Sequence, residues 1–178
     1  MTEYWLCDAG TTLREQVDKR WPRRDKASDG WIGDTSHQAT PSDHNPDPDT
    51  GVVRAIDIDR DLSKTDPKAM ERMVGQLRRY CRDRQDNDRV SYIIFDGLIA
   101  SNTYGWVWRP YSGTNPHDHH CHISFLPRGD HRGAGFTLPV FTSAKRSRLR
   151  RLIQRLADRR EALARRIGKT RKRLAGLR

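Results

Sequence analysis

Four of the chain's seven histidines fall within six residues, in the stretch Pro116-His117-Asp118-His119-His120-Cys121-His122-Ile123-Ser124-Phe125. No other stretch constrains the fold as much. In an extended strand successive side chains point to opposite faces. One face then carries Asp118, His120, His122 and Ser124, and the other carries His119, Cys121, Ile123 and Phe125. The second face ends apolar and can pack into a core. The first is a row of metal-capable and proton-transferring groups facing a cleft. The simplest chemistry for it is half of a zinc site, with His122 as a ligand and His120 as a neighbour that handles protons. The competing reading is a His-rich loop or a chance surface cluster with no built site.

A chain of 178 residues suits one domain with an appendage, and the charge shows where the two divide. Residues 144–178 hold 15 Lys/Arg against two acids, Asp158 and Glu161, whereas the rest holds 19 basic and 21 acidic residues. The overall charge of +11 therefore belongs to the tail, and the sequence divides into residues 1–142 and 143–178. In the tail Leu149, Ile153, Leu156, Leu163, Ile167, Leu174 and Leu177 follow a 3-4 heptad grid, with Arg160 and Thr170 in its remaining places. This is a basic amphipathic helix with an imperfect seam, suited to self-association, to an anionic polymer or to a membrane surface.

No apolar run approaches the ~18–20 residues needed to span a bilayer. The N-terminal Met1-Thr-Glu-Tyr-Trp-Leu-Cys-Asp lacks the basic-then-apolar pattern of a secretory signal, so the expected location is a cytoplasm. Cys7, Cys81 and Cys121 are odd in number and widely spaced, which argues against disulfides and a Cys-type zinc site. Cys121 reads as a small buried hydrophobe.

In the body, Leu13, Val17 and Trp21 predict a helix over Thr11–Trp21, ended by Pro22 and capped by Thr11 or Thr12. The long polar segment 23–50 reads as a functional loop, since it contains His37 and Ser42-Asp43-His44. Gly51–Asp59 reads as a strand in which Ile56 and Ile58 face one way and Ala55, Asp57 and Asp59 the other. Acidic residues inside a strand require solvent, a partner or a metal. A helix over Asp66–Arg84 should cover the sheet with Met70, Met73, Val74, Leu77, Tyr80 and Cys81. Arg89–Phe95 and Leu98–Ser101 should form a hairpin around Asp96-Gly97. Trp106 and Trp108 share a face that suits core packing.

A loop histidine, a strand aspartate and a pair of strand histidines form an ordered set, SxH … AxD … HxH. Two imidazoles and one carboxylate leave a zinc ion's fourth position for water, as amide hydrolysis needs, and His120 is the nearby base. Asp29-Gly-Trp-Ile-Gly-Asp-Thr-Ser-His37, Ser42-Asp-His-Asn-Pro46, Val53-Arg-Ala-Ile-Asp57 and Asn115–Ser124 resemble the D-Ala-D-Ala carboxypeptidase and L-Ala-D-Glu endopeptidase family. That family belongs to the zinc peptidase superfamily that includes lysostaphin-type enzymes and the hedgehog signalling domain. The likeness is greatest to peptidase domains of endolysins from phages of actinobacteria, and it covers roughly residues 29–125.

The resemblance implies an α+β domain with a small antiparallel sheet, flanking helices and a zinc cleft. It implies zinc on His44, Asp57 and His122, with His120 as acid/base, and the stem peptide of peptidoglycan as substrate. Action would follow release from a host cytoplasm. Two features depart from the family pattern. Twelve residues separate His44 from Asp57, more than the usual HxxGxAxD spacing allows. The position three residues before the last histidine, commonly a glutamate base, is His119, which leaves His120 as the base and Asp118 as its alternative.

Candidate substrate contacts are His37, Ser42, Arg54, Arg109 and Tyr111; the arginines suit a stem-peptide carboxylate. Asp59 more readily supports the site than binds metal. Two other readings compete. One is a metal-dependent nuclease or nucleic-acid-binding protein that grips phosphates with its tail. Against it, the body is slightly acidic and shows no paired carboxylates for magnesium, so no specific nucleic acid is expected. The other is a degenerate peptidase domain that only binds. No residue in the sequence decides which stem-peptide bond would be cut.

Overall fold

The computed structural model describes residues 3–33, 40–83, 89–142, 152–165 and 167. It comprises two units, Met1–Phe141 and Thr142–Arg178.

The first unit is α+β. Its strands are β1 (Trp5–Leu6), β2 (Val52–Val53), β3 (Ala55–Asp59), β4 (Val90–Phe95), β5 (Leu98–Ser101), β6 (Arg109–Pro110) and β7 (His120–Phe125). Its helices are α1 (Asp8–Arg20) and α2 (Ala69–Asp83). Five strands make one sheet in the order β3-β7-β4-β5-β6, every neighbouring pair antiparallel, while β1 and β2 pair in parallel apart from it. The histidine strand β7 is therefore flanked on both edges, by β3 and by β4.

One face of this sheet is a core. Ile56, Ile58, Ile93, Cys121, Ile123 and Phe125 pack there with Leu13 and Val17 of α1 and with Met70, Met73, Val74, Leu77 and Cys81 of α2. Each fully buried aliphatic side chain of this kind contributes about 1.5–3 kcal/mol. Trp106 is buried in the same core and Trp108 packs against it. The opposite face of β3 and β7 is left for polar groups.

Several boundaries differ from those expected of the sequence, each for a local reason. Helix α1 begins at Asp8, because Cys7 N–H bonds to Val53 O and Asp8 N–H to Asp130 O. The two threonines do not cap it: Thr11 Oγ1 donates to Leu6 O and Thr12 Oγ1 to Gly133 O. The expected strand 51–59 is split at Arg54. Its N–H bonds to Asp43 O and its carbonyl accepts from Phe125 N–H, so β2 pairs with β1 and β3 pairs with β7. Helix α2 begins at Ala69, after a turn in which Ala69 N–H bonds to Asp66 O.

The β4–β5 hairpin turns on Asp96 (φ 52°) and Gly97 (φ 73°), both left-handed as a two-residue hairpin turn of type I′ requires. A bulge in β4 has a larger consequence. Val90 lies opposite Phe125 on the core side, yet Tyr92 lies opposite Ser124, so the register shifts by one between them. Strict alternation would place Val90 and Tyr92 on the same face; the extra residue turns Tyr92 to the polar face instead.

In the second unit residues 152–165 form a helix, α3. Pairs at i and i+4 brace it, Gln154 to Asp158 at 3.0 Å and Arg165 to Glu161 at 2.6 Å. Among the described residues no helix is long and apolar enough to cross a membrane.

Candidate metal centre

Asp57 of β3 stands directly opposite His122 of β7, and cross-strand partners project from the same face. Their side chains meet there, His122 Nδ1 lying 3.0 Å from Asp57 Oδ1. The backbone of Asp57 is also held on its other edge. Its N–H bonds to Gly30 O at 2.7 Å and its carbonyl accepts from Gly30 N–H at 3.2 Å. That loop is anchored in turn by Arg24, whose fully buried guanidinium bonds to both oxygens of Asp29 and to Asp18. Asp29 accepts from Asp59 N–H, and Asp59 accepts from Ser28 and Asp61 N–H. Asp59 therefore braces the strand rather than the cluster.

The third member comes from the loop before β2. His44 O accepts from Gly33 N–H and its own N–H bonds to Ser42 Oγ at 3.3 Å. Its ring places Nε2 3.1 Å from His122 Nδ1 and 3.2 Å from Asp57 Oδ2. The two ring nitrogens and the Asp57 carboxylate thus form a triangle, the nitrogens 3.1 Å apart and each 3.0–3.2 Å from a different oxygen of Asp57. His44 and His122 are buried and Asp57 is half-buried. An ion with tetrahedral bonds of ~2.0–2.1 Å holds its ligands ~3.3 Å apart, within a few tenths of the 3.1 Å between the two nitrogens. The residues fit a metal ion that prefers nitrogen and oxygen donors.

His122 is oriented from behind. Its Nε2 lies 3.0 Å from Ser124 Oγ, Ser124 also bonds to Tyr92, and Tyr92 O–H donates to Asp43 Oδ2 at 2.8 Å. An ionised carboxylate only accepts, so the order is set from that end: Tyr92 accepts from Ser124, and Ser124 accepts from His122 Nε2–H. The proton sits on Nε2 and the Nδ1 lone pair faces the triangle, the tautomer a metal ligand needs. The Tyr92 ring also stacks on the imidazole, centroids 5.5 Å apart and planes at 22°. Burial pushes the Tyr92 hydroxyl well above its ordinary range, so it stays a donor.

The electrostatics follow from the geometry. Burial alone would raise the Asp57 carboxyl, but its bonds to His122 and His44 outweigh this and hold it well below the usual carboxylate range. Burial would likewise lower His44, yet the Asp57 carboxylate holds it above an ordinary imidazole. His120 goes the other way. Burial, reinforced by the neighbouring His122 and His44, lowers it despite the pull of Asp57.

The remaining sequence candidates are placed as follows. His120 shares the face of Asp57 and His122, its Nε2 3.7 Å from Asp57 Oδ1. Asp118 precedes β7 and is exposed; its carboxylate lies 3.7 Å from His119 Nε2, and its carbonyl accepts from Arg60. Arg54 is engaged within the chain, bidentate on Asp130 at 2.7 and 2.8 Å and bonded to Asp47 at 2.8 Å. Arg109 lies over the Tyr104 ring at 3.5 Å. Tyr111 reaches the site's border through His117, ring centroids 5.4 Å apart. His37 lies outside the described residues.

Three residues with a part in the site were not singled out from the sequence, and a fourth, Ser124, was placed only on the face it shares with His122. Ser124 follows His122 by two positions on the same face, a sufficient signal. Asp43 lies next to His44. Tyr92 depends on the bulge and leaves no trace in the pattern. His117 lies before β7 with φ of 56°, so strand alternation says nothing of it. Its ring packs 4.9 Å from that of His120 and 5.4 Å from that of His122. It is buried and its Nδ1 has no hydrogen-bond partner among the described residues. Burial, with His122 and His120 beside it, depresses its pKa to about 4.

Comparison with protein-family models, with curated proteins and with solved structures finds no match to this chain.

Proposed function

We propose that the first unit is a zinc peptidase of the hedgehog and D-Ala-D-Ala peptidase type, cleaving an amide bond in the stem peptide of peptidoglycan. The observation that carries this reading is the triangle of His44 Nε2, Asp57 and His122 Nδ1, with the His120 imidazole 3.7 Å from Asp57 beside it. Two imidazoles and a carboxylate are a donor set suited to catalytic zinc, which accepts three protein ligands. When bound there, zinc supplies polarisation of a carbonyl and a water acidified toward a pKa of ~7.

The chain's own residues do the rest. Asp57, His44 and His122 hold the ion, and the Ser124–Tyr92–Asp43 chain keeps His122 in the ligating tautomer. His120 Nε2 takes the proton given up by the attacking water and returns it to the leaving amine. Its lowered pKa leaves it free to accept. Asp118 is the alternative base, and its exposed position before the strand favours His120. His117 offers its Nδ1, which has no partner among the described residues, and Tyr111 its ring, to a peptide lying across the polar face.

Incubation of purified actinobacterial sacculi with wild type and His44→Ala, followed by mass spectrometry, tests this. Wild type should release fragments that differ from the intact stem by hydrolysis of one amide, and their masses would name the bond. His44→Ala should release none. Intact stems from a zinc-loaded wild type would leave a binding module, and nicking of DNA in their place would favour the nuclease.

A further inference from the structure

The second unit presents a feature that peptide hydrolysis does not use. Along α3 and just beyond it, the side chains of Leu152, Ile153, Leu156, Leu163 and Ile167 are each about half exposed, at 46–58%. At 3.6 residues per turn they fall within about 100° of the helix circumference and form one continuous stripe. Arg155 and Arg159 border it, and Arg160 lies within it. A Leu/Ile stripe of this length left in water has a hydrophobic cost and marks a contact surface.

Three kinds of occupant could cover it: a second copy of the helix, a soluble polyanion or an anionic bilayer. Charge argues against the second copy. Residues 144–178 carry 15 basic and two acidic residues, so two such helices repel. Stable helix pairs also want complementary charges beside the seam and apolar residues within it, whereas Arg160 interrupts this one. A soluble polyanion would neutralise the arginines but has no apolar interior to take the leucines and isoleucines. A bilayer with anionic headgroups meets both demands. The stripe enters the boundary between headgroups and acyl chains, the arginines pair with lipid phosphates, and Arg160 extends its charge outward along its apolar stem.

We infer that α3, within the basic segment 144–178, is an interfacial helix that docks the protein on an anionic lipid surface, lying in the plane of the membrane rather than crossing it. The stripe is the specific element and the arginines supply the long-range attraction. Binding therefore needs both, and neutral vesicles hold the chain only weakly.

Co-sedimentation of the full chain with vesicles of phosphatidylglycerol and phosphatidylcholine, against phosphatidylcholine alone, tests this. The test includes the double variant Leu156→Glu/Leu163→Glu and a sedimentation-velocity series without lipid. Wild type should bind the anionic vesicles, gaining helix signal in circular dichroism, and should remain monomeric without lipid. The double variant should bind at least tenfold more weakly, since both leucines lose their apolar environment. Its metal content should match wild type, because neither residue belongs to the triangle. Equal binding of variant and wild type would show that charge alone acts, the behaviour of a ligand for soluble polyanions, and would overturn the inference. So would binding by neither, or a concentration-dependent dimer that the variant abolishes.

Discussion

Removing one proton-handling group and removing one orienting group should have separable consequences at this site. His120 stands beside Asp57 at 3.7 Å without closing the triangle of donors. His120→Ala should therefore retain its metal and lose roughly 10²–10⁴ in kcat. Loss of metal together with activity would make His120 a ligand. Ser124 and Tyr92 touch His122 on the side away from Asp57 and supply none of the three metal-capable groups. Ser124→Ala and Tyr92→Phe should weaken metal affinity by about 10–100-fold in competition with a chelator, and the double variant should do little more, since both break one chain. Additive losses would contradict a shared network. The direction of the His44 shift sets the pH dependence. Its imidazole is held above the ordinary value, and ligation requires the neutral form. Metal affinity should therefore be full above that raised pKa and fall by about tenfold per pH unit below it. Asp57, held low, stays ionised throughout that range. Titration calorimetry in two buffers of different ionisation enthalpy should detect proton release on binding near neutral pH; release of none would contradict the assignment.

The elements make the site possible by dividing faces. Strand β7 gives Cys121, Ile123 and Phe125 to the core and His120, His122 and Ser124 to the polar face, so packing and chemistry share six residues. Helix α2 covers the core face through Leu77, which is fully buried. Leu77→Ala should lower unfolding free energy by about 2–5 kcal/mol in denaturant titration of the metal-free protein, while the triangle, on the opposite face, still binds metal. Little change in stability would mean that the helix does not hold the sheet. This division of faces was legible in the sequence because alternation in His120–Phe125 and Ala55–Asp59 is local, and so was the Asp96-Gly97 turn. The pairing of Asp57 with His122 was legible only as a chemical expectation, since register is set by long-range contacts. Tyr92 was hidden because one bulged residue inverts its face. His117 was hidden because a left-handed residue before the strand escapes any period. The split at Arg54 was equally out of reach, as it depends on the carbonyl of Asp43 and the amide of Phe125 meeting the same residue.

In the whole molecule, charge and apolar surface are partitioned between two units. The body is near neutral, packs an aliphatic core and gathers His44, His120 and His122 around Asp57. Residues 144–178 hold the excess positive charge, and their described helix keeps its leucines and isoleucines outside. Everything proposed for the body depends on a single ion at the His44–Asp57–His122 triangle. Metal content of the full chain, measured by elemental mass spectrometry after zinc loading and removal of excess ion, is the most direct test. Wild type should hold one zinc per chain, and His122→Ala, with its folded circular dichroism spectrum intact, should hold none. Wild type without zinc, or a folded His122→Ala that keeps a full equivalent, would contradict the account.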